Sequence, residues 1–291
     1  MTRVALITNA SSGKADDSLR ATIVESLGAL GSIAVVTPSS LESFPSEVRA
    51  GTKDVDVVIV AGGDGSVNQT VNALGERLDD HVFGVVPMGT GNDLARTLGL
   101  DTDPQAAARA LTGYVERSLD VGRASGAGAE RLFLNACVGG FSVEVDEETS
   151  PELKKRVGPL AYWLAGAKVA ARMPRTTVRM NDLELPSCVA VGIGNGRTAG
   201  GGIELWPDAD PSDGLLDACG ISVGGVRDAA KVMLKLPTGE IDEIEMTGCR
   251  RDCKIDVRAD DAVEFNVDGE LLGLTTPATF EVTGRLRILA P

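Results

Sequence analysis

The stretch that most constrains this chain runs Asp54-Val-Asp-Val-Val-Ile-Val-Ala-Gly-Gly-Asp-Gly-Ser-Val-Asn-Gln-Thr-Val-Asn-Ala-Leu74. Val57 to Val60 form a short, β-branched apolar run, the pattern of a strand buried on both faces of a parallel sheet. Gly62, Gly63 and Gly65 then surround one acid, Asp64. Val67, Val71 and Leu74 follow at spacings of four and three, one face of a helix. Strand, glycine loop and helix together aim free backbone N–H groups and a helix N-terminus at an anion. Glycine also lets a phosphate approach the backbone closely. Asp64 would repel that phosphate unless a metal ion or an acceptor hydroxyl stands beside it. Such a loop suits an enzyme that holds a nucleotide and Mg²⁺ and transfers a phosphoryl group. The alternative is a tight strand-to-helix turn capped by Asp64, and the motif alone leaves both readings open.

The surrounding pattern repeats the theme. Val4–Thr8, Ile33–Val36 and Val82–Val86 read as further strands, and Leu19, Ile23, Leu27 and Leu30 as the buried face of a first helix. Residues 1–121 are therefore expected to form a doubly wound α/β domain. Ligands of such sheets bind beyond the carboxyl ends of the strands, which brings the loops at Asn9, Thr37, Gly62 and Gly89 to one edge as a nucleotide cleft. From about Val121 the segments become short and alternating. Asn181-Asp182 and Asp268-Gly269 signal hairpins. Residues 122–283 are expected to form a mainly antiparallel β domain interrupted by helices over 160–173 and 226–236. Ala124 to Gly128 reads as a surface loop at its start.

Charge narrows the partners. The formal net charge of −14 argues against nucleic acid and against broad adhesion to an anionic membrane. No apolar run approaches the ~20 residues of a membrane span. The apolar segment of the N-terminus is too short and too early for a signal peptide, so it reads as a first strand. Five scattered cysteines fit reduced thiols and a cytoplasmic setting. With one histidine, His81, and no second cysteine pair beside Cys249 and Cys253, a zinc site is not expected. Asp210 and Asp213 would suit a hard cation, or an acidic turn entering a strand. Val267-Asp268-Gly269-Glu270 reads in isolation as a turn with a solvated glutamate.

These pieces, in order, resemble the diacylglycerol kinase catalytic-domain family, and within it the soluble bacterial lipid kinases related to sphingosine kinases. The resemblance covers nearly the whole chain. It rests on NASSGK at Asn9, GGDGSVNQTVNAL at Gly62, PMGTGNDLAR at Pro87, NACVGGFSVEV at Asn135, KKRVGPLAYW at Lys154, GNGRTAGGG at Gly194, PDADPSDGLLD at Pro207 and VDGE at Val267. It implies an ATP- and Mg²⁺-dependent kinase for a lipid hydroxyl on diacylglycerol, phosphatidylglycerol, a sphingoid base or a polyprenol. Nucleotide contacts would come from Asn9, Ala10, Ser11, Ser12 and Gly13, from Thr37, from Gly63, Asp64, Gly65, Ser66, Val67, Asn68 and Gln69, and from Thr90. Mg²⁺ would be held by Asp210, Asp213 and the Leu215 carbonyl. Glu270 would take the hydroxyl proton, with Asp64 where phosphate, metal and hydroxyl meet.

The chain departs from the family at Ala10, usually proline, at Gln69, usually glutamate, and in the segment after Thr37. The resemblance also implies that residues 284–291 return to complete the first domain, and that the lipid enters between domains. Lys154, Lys155, Arg156, Lys168, Arg172 and Arg175 form the main basic cluster, either a solvated helix face or a headgroup contact giving transient membrane association. Two other readings stand beside this one: a kinase of a soluble acceptor in the manner of NAD kinases, and a non-catalytic nucleotide- or lipid-binding regulator. The oligomeric state stays open, a homodimer among the options.

Overall fold

The computed structural model describes residues 2–8, 14–140, 174–225, 228, 232 and 247–291. Four parallel strands, β1 (Arg3–Thr8), β2 (Ser32–Val36), β3 (Val57–Gly62) and β4 (Val82–Pro87), lie in the order β4-β3-β1-β2. Around them run α1 (Lys14–Leu27), α2 (Phe44–Gly51), α3 (Asp64–Leu74), α4 (Asp93–Thr97) and α5 (Pro104–Leu111). Alternate strand residues face opposite ways. Leu6, Ile59 and Val86 pack with Ile23 and Leu27 of α1 and Leu111 of α5. Ile7, Val58, Val60 and Phe83 pack with Phe44 and Val48 of α2 and Val67 and Val71 of α3. Burial on both faces is why β3 and β4 are apolar throughout rather than alternating.

The second half is antiparallel. Its strands are β5 (Val115–Ala127), β6 (Ala129–Phe133), β7 (Ala136–Gly139), β8 (Thr176–Met180), β9 (Leu183–Gly194), the two-residue β10 (Thr198–Ala199) and β11 (Ile203–Glu204), β12 (Leu216–Ser222), β13 (Thr247–Asp252), β14 (Lys254–Ala259), β15 (Glu264–Val267) and β16 (Glu270–Ala290). Phe133, Ile193, Ile255, Phe265 and Phe280 anchor its core, with the Phe265 and Phe280 rings 4.8 Å apart at their centroids. β16 spans both halves. It pairs with β5 from Thr275 to Ala290, and its Arg287 and Ile288 lie parallel to Val82 and Phe83 of β4. Both predicted hairpins are present: Met180 pairs with Leu183 and Val267 with Glu270.

Several expectations are corrected. Residues 124–127 are not a surface loop but the end of the thirteen-residue strand β5, with Ala124 fully buried opposite Phe280. Gly126 within it has no room for a side chain, since a β-carbon there would lie 2.6 Å from the Thr275 carbonyl oxygen. Helices α2 and α5 begin at Phe44-Pro45 and Pro104, where proline fits the first turn of a helix. Cys219 and Cys249 are not separate thiols; they face each other across β12 and β13 as a disulfide. Cross-strand adjacency of two cysteines thirty residues apart has no local sequence signal. The helices expected over 160–173 and 226–236 lie outside the described residues, apart from 228 and 232. Among the described residues no helix is long and apolar enough to cross a membrane.

Candidate active site

The parallel order of β1 to β4 gathers the loops that follow them. Thr8 and Thr37, at the ends of β1 and β2, share a hydroxyl hydrogen bond of 2.9 Å. The loops after β3 and β4 cross at Gly63 and Gly89. A β-carbon on Gly89 would stand 2.6 Å from the Gly63 Cα, so neither position has room for a side chain. Asn92 closes the second loop, accepting from the Gly89 amide at 2.9 Å and donating to its carbonyl at 2.8 Å. Thr90 is exposed at the tip.

Asp64 is the first residue of α3, not a loop residue. Its carboxylate accepts the Asp93 amide at 3.2 Å and the Leu94 amide at 3.3 Å, tying the start of α3 to the start of α4. Burial pushes the Asp64 carboxyl above the ordinary aspartate range, while those two amides pull against the shift. Gly65 follows, and Glu270 Oε1 occupies the space that a β-carbon on Gly65 would need. Hence the glycine loop and the carboxylate of the VDGE turn, distant in sequence, form one site. Ser66, Val67 and Asn68 are buried within α3, and the Val67 amide donates to the Gly63 carbonyl at 3.1 Å. Gln69 is half-buried one turn further along.

Glu270 is aimed by Asp268. This residue and Gly269 take positive φ angles of 46° and 93°, the two-residue turn favoured between antiparallel strands. The buried Asp268 carboxylate accepts the Leu134 amide at 2.8 Å, the Asn135 amide at 3.0 Å, the Ala136 amide at 2.9 Å and Asn68 Nδ2 at 3.1 Å. It thus locks the turn to the β6–β7 connection and to α3. Burial raises its pKa against those donors. Asp93 does a similar service, accepting the Gly201 and Gly202 amides at 2.9 and 2.7 Å to fix the glycine loop after β10. Nothing local in the sequence marks these roles of Asp93 and Asp268, because their partners lie far along the chain.

The acidic turn is anchored separately. Asp210 accepts the Ser212 hydroxyl at 2.7 Å, which holds its pKa below the usual range, and Asp213 Oδ1 accepts the Leu215 amide at 2.9 Å. The fully buried Asp120 accepts the Gly214 amide at 2.5 Å and Arg285 Nε at 2.8 Å. Arg251 reaches Asp213 at 3.3 Å, Asp217 at 3.2 Å and the Asp208 carbonyl at 2.9 Å. Asp210, Asp213 and the Leu215 carbonyl are hard oxygen donors and suit Mg²⁺ in kind. A cation there would share Asp213 with Arg251. Among the described residues no three carboxylates, histidines or cysteines converge, so a backbone oxygen is needed to complete such a site. Residues 9–13 and the basic residues 154–156, 168 and 172 lie outside the described residues.

The curated relatives of this chain are lipid kinases. The chain belongs to the diacylglycerol kinase catalytic-domain family: residues 3–124 match that domain, and residues 136–290 match the YegS C-terminal NAD kinase beta sandwich-like domain. It is 33% identical over 246 residues to the probable lipid kinase YegS-like protein of Stenotrophomonas maltophilia, covering 81% of this chain and 79% of that one. It is 29% identical over 235 residues to the diacylglycerol kinase of Staphylococcus haemolyticus, covering 80% of this chain and 70% of that one. A solved chain from Bacillus anthracis superposes with a TM-score of 0.82 at 26% identity, over 99% of this chain and 95% of that one.

Proposed function

We propose that the chain transfers the γ-phosphoryl group of ATP to a hydroxyl of a lipid such as diacylglycerol, phosphatidylglycerol or a sphingoid base. The observation that supports this reading is the closeness of Glu270 to Gly65, a carboxylate against the glycine of a phosphate-type loop. Residues 1–121, completed by 284–291, act as the nucleotide-binding unit, and 122–283 as the lipid unit. The Gly63–Gln69 backbone, Thr37, Thr90 and the 9–13 loop hold the nucleotide. Glu270 takes the proton of the attacking hydroxyl, and Asp64, one residue before Gly65, is the second carboxylate of the reaction centre. Phosphoryl transfer asks the protein mainly for positioning and charge neutralisation, with one carboxylate for the proton. Asp210, Asp213 and the Leu215 carbonyl are the oxygens that would hold Mg²⁺, which would supply positive charge for phosphoryl transfer. The lipid is met by transient contact with a membrane surface.

The test is incubation of the chain with γ-labelled ATP and a total lipid extract, followed by identification of the labelled product. A labelled lipid supports the proposal. A labelled soluble dinucleotide would replace it with an NAD-kinase-like activity, and nucleotide binding without transfer to any acceptor would leave a regulator.

A further inference from the structure

Arg131 lies on β6 opposite Ala124 of β5, and its side chain is half-buried. Its Nε donates to Asn68 Oδ1 at 3.2 Å. That acceptor is itself fixed. Asn68 Nδ2 donates to the Leu132 carbonyl at 2.9 Å and to Asp268 at 3.1 Å, while Asn72 Nδ2 donates to Asn68 Oδ1 at 3.1 Å. The same Asn68 and Asp268 that orient the Glu270 turn therefore also orient Arg131.

Among the described residues no carboxylate forms an ion pair with this guanidinium. Burial lowers the Arg131 pKa, and the charge of Glu270 opposes that shift, so the two groups sense each other without touching. Among the described residues this partly desolvated guanidinium is held by one hydrogen bond through Nε, and its paired terminal N–H groups have no partner. That fork matches the two oxygens of a phosphate.

We propose that Arg131 binds a phosphate oxyanion on the acceptor side of Glu270, making it a specificity-determining residue of the transfer site. The inference rests on Glu270 serving as the acceptor base. Two sources present that chemistry: the phosphodiester of an anionic glycerophospholipid acceptor, and the phosphoryl group in transit. Either anion satisfies the guanidinium left unpaired on β6.

The test compares wild type, Arg131→Gln and Arg131→Lys as full chains with ATP and mixed micelles containing either dioctanoylglycerol or phosphatidylglycerol. Arg131→Gln keeps an N–H for Asn68, so its melting temperature is expected to match wild type. Its turnover is expected to fall by about tenfold or more, the scale of a lost hydrogen bond to a charged group. A loss confined to phosphatidylglycerol and carried by KM identifies the acceptor phosphodiester. An equal loss on both acceptors, carried by kcat, identifies the transferred phosphoryl group. Turnover within twofold of wild type on both acceptors overturns the proposal. Should Arg131→Gln melt early, Arg131→Lys is read instead: it keeps the charge but not the fork, and wild-type turnover in that variant is equally fatal. If wild type phosphorylates neither lipid, the proposed function fails by itself, and Arg131 is read from calorimetric titration with inorganic pyrophosphate. Equal pyrophosphate affinity in wild type and Arg131→Gln then overturns the proposal.

Discussion

Gly65 and Glu270 stand so close that a β-carbon on the glycine would lie 2.2 Å from the glutamate's Oε1. The residue after Asp64 is glycine because a carboxylate from the far end of the chain fills its side-chain space. Gly65→Ala is therefore expected to displace Glu270 while favouring the helix slightly, since alanine has the higher helix propensity and Gly65 lies in the first turn of α3. Melting temperature should hold or rise. Phosphoryl transfer should fall by roughly 10²-fold, the cost of misplacing a reacting group by about 1 Å. Parallel turnover and melting measurements check this, and full activity in a folded Gly65→Ala protein would show that Glu270 has no part in the reaction.

The VDGE turn holds two carboxylates with different work. Glu270→Gln keeps shape and reach but cannot accept a proton, so turnover should drop by roughly 10²–10⁴-fold with ATP affinity little changed. Asp268→Asn is not a silent change on the same turn, although Asn-Gly supports the same backbone geometry. Asp268 receives three backbone amides and Asn68 in a buried setting, and an amide would turn a donor toward a donor. The expected cost is about 1–3 kcal/mol, read from the urea midpoint. Stability lost at 268 with activity lost at 270 is the pattern expected; wild-type stability in Asp268→Asn would contradict the assigned network.

What the sequence made legible divides along the range of the interactions. The strands β1 to β4 and the α3 face of Val67, Val71 and Leu74 were readable because burial on a fixed period marks them locally. The hairpins at Asn181 and Asp268 were readable because positive φ selects asparagine, aspartate and glycine. The Asp93 carboxylate under the 200–202 loop, the Arg251 contact with Asp213 and the Cys219–Cys249 pair are set by partners in other elements, and no window of sequence contains both members. The twenty-one-residue β16 carries no single local pattern for a related reason. Its partners change along its length from β15 to β14, β5 and β4, so its burial follows no single alternation.

Burial of Asp64 raises its pKa above the aspartate value of 3.8, which gives its stability contribution a definite sign with pH. For a carboxyl whose folded pKa exceeds its unfolded one, the contribution is fully present below the unfolded pKa and is lost as pH rises through the folded pKa. Wild type should therefore lose ground to Asp64→Asn, which does not titrate, as pH climbs through the window just above 3.8. Urea unfolding of both proteins across that window measures the difference, and a gap that narrows in the other direction would mean that Asp64 is stabilised as the anion. At neutral pH Asp64→Asn is expected to remain folded yet transfer no phosphate.

The acidic turn offers a test that needs no turnover. Asp213 pairs at 3.3 Å with Arg251, and both side chains are partly exposed, so that pair alone is worth about 0–1 kcal/mol. In chelator the Asp213→Ala protein should melt close to wild type. A cation held by Asp210, Asp213 and the Leu215 carbonyl stabilises only the folded chain, by about 2.7 kcal/mol when Mg²⁺ is about a hundredfold above Kd. Titrating Mg²⁺ should then raise the melting temperature of wild type and leave Asp213→Ala behind. Arg251→Ala separates the two charges that share Asp213. If the guanidinium competes with the metal, its removal should lower the chelator baseline slightly and enlarge the Mg²⁺-dependent rise. Parallel curves for wild type and Asp213→Ala at every Mg²⁺ concentration would remove the metal from this turn and leave Arg251 as its counter-ion.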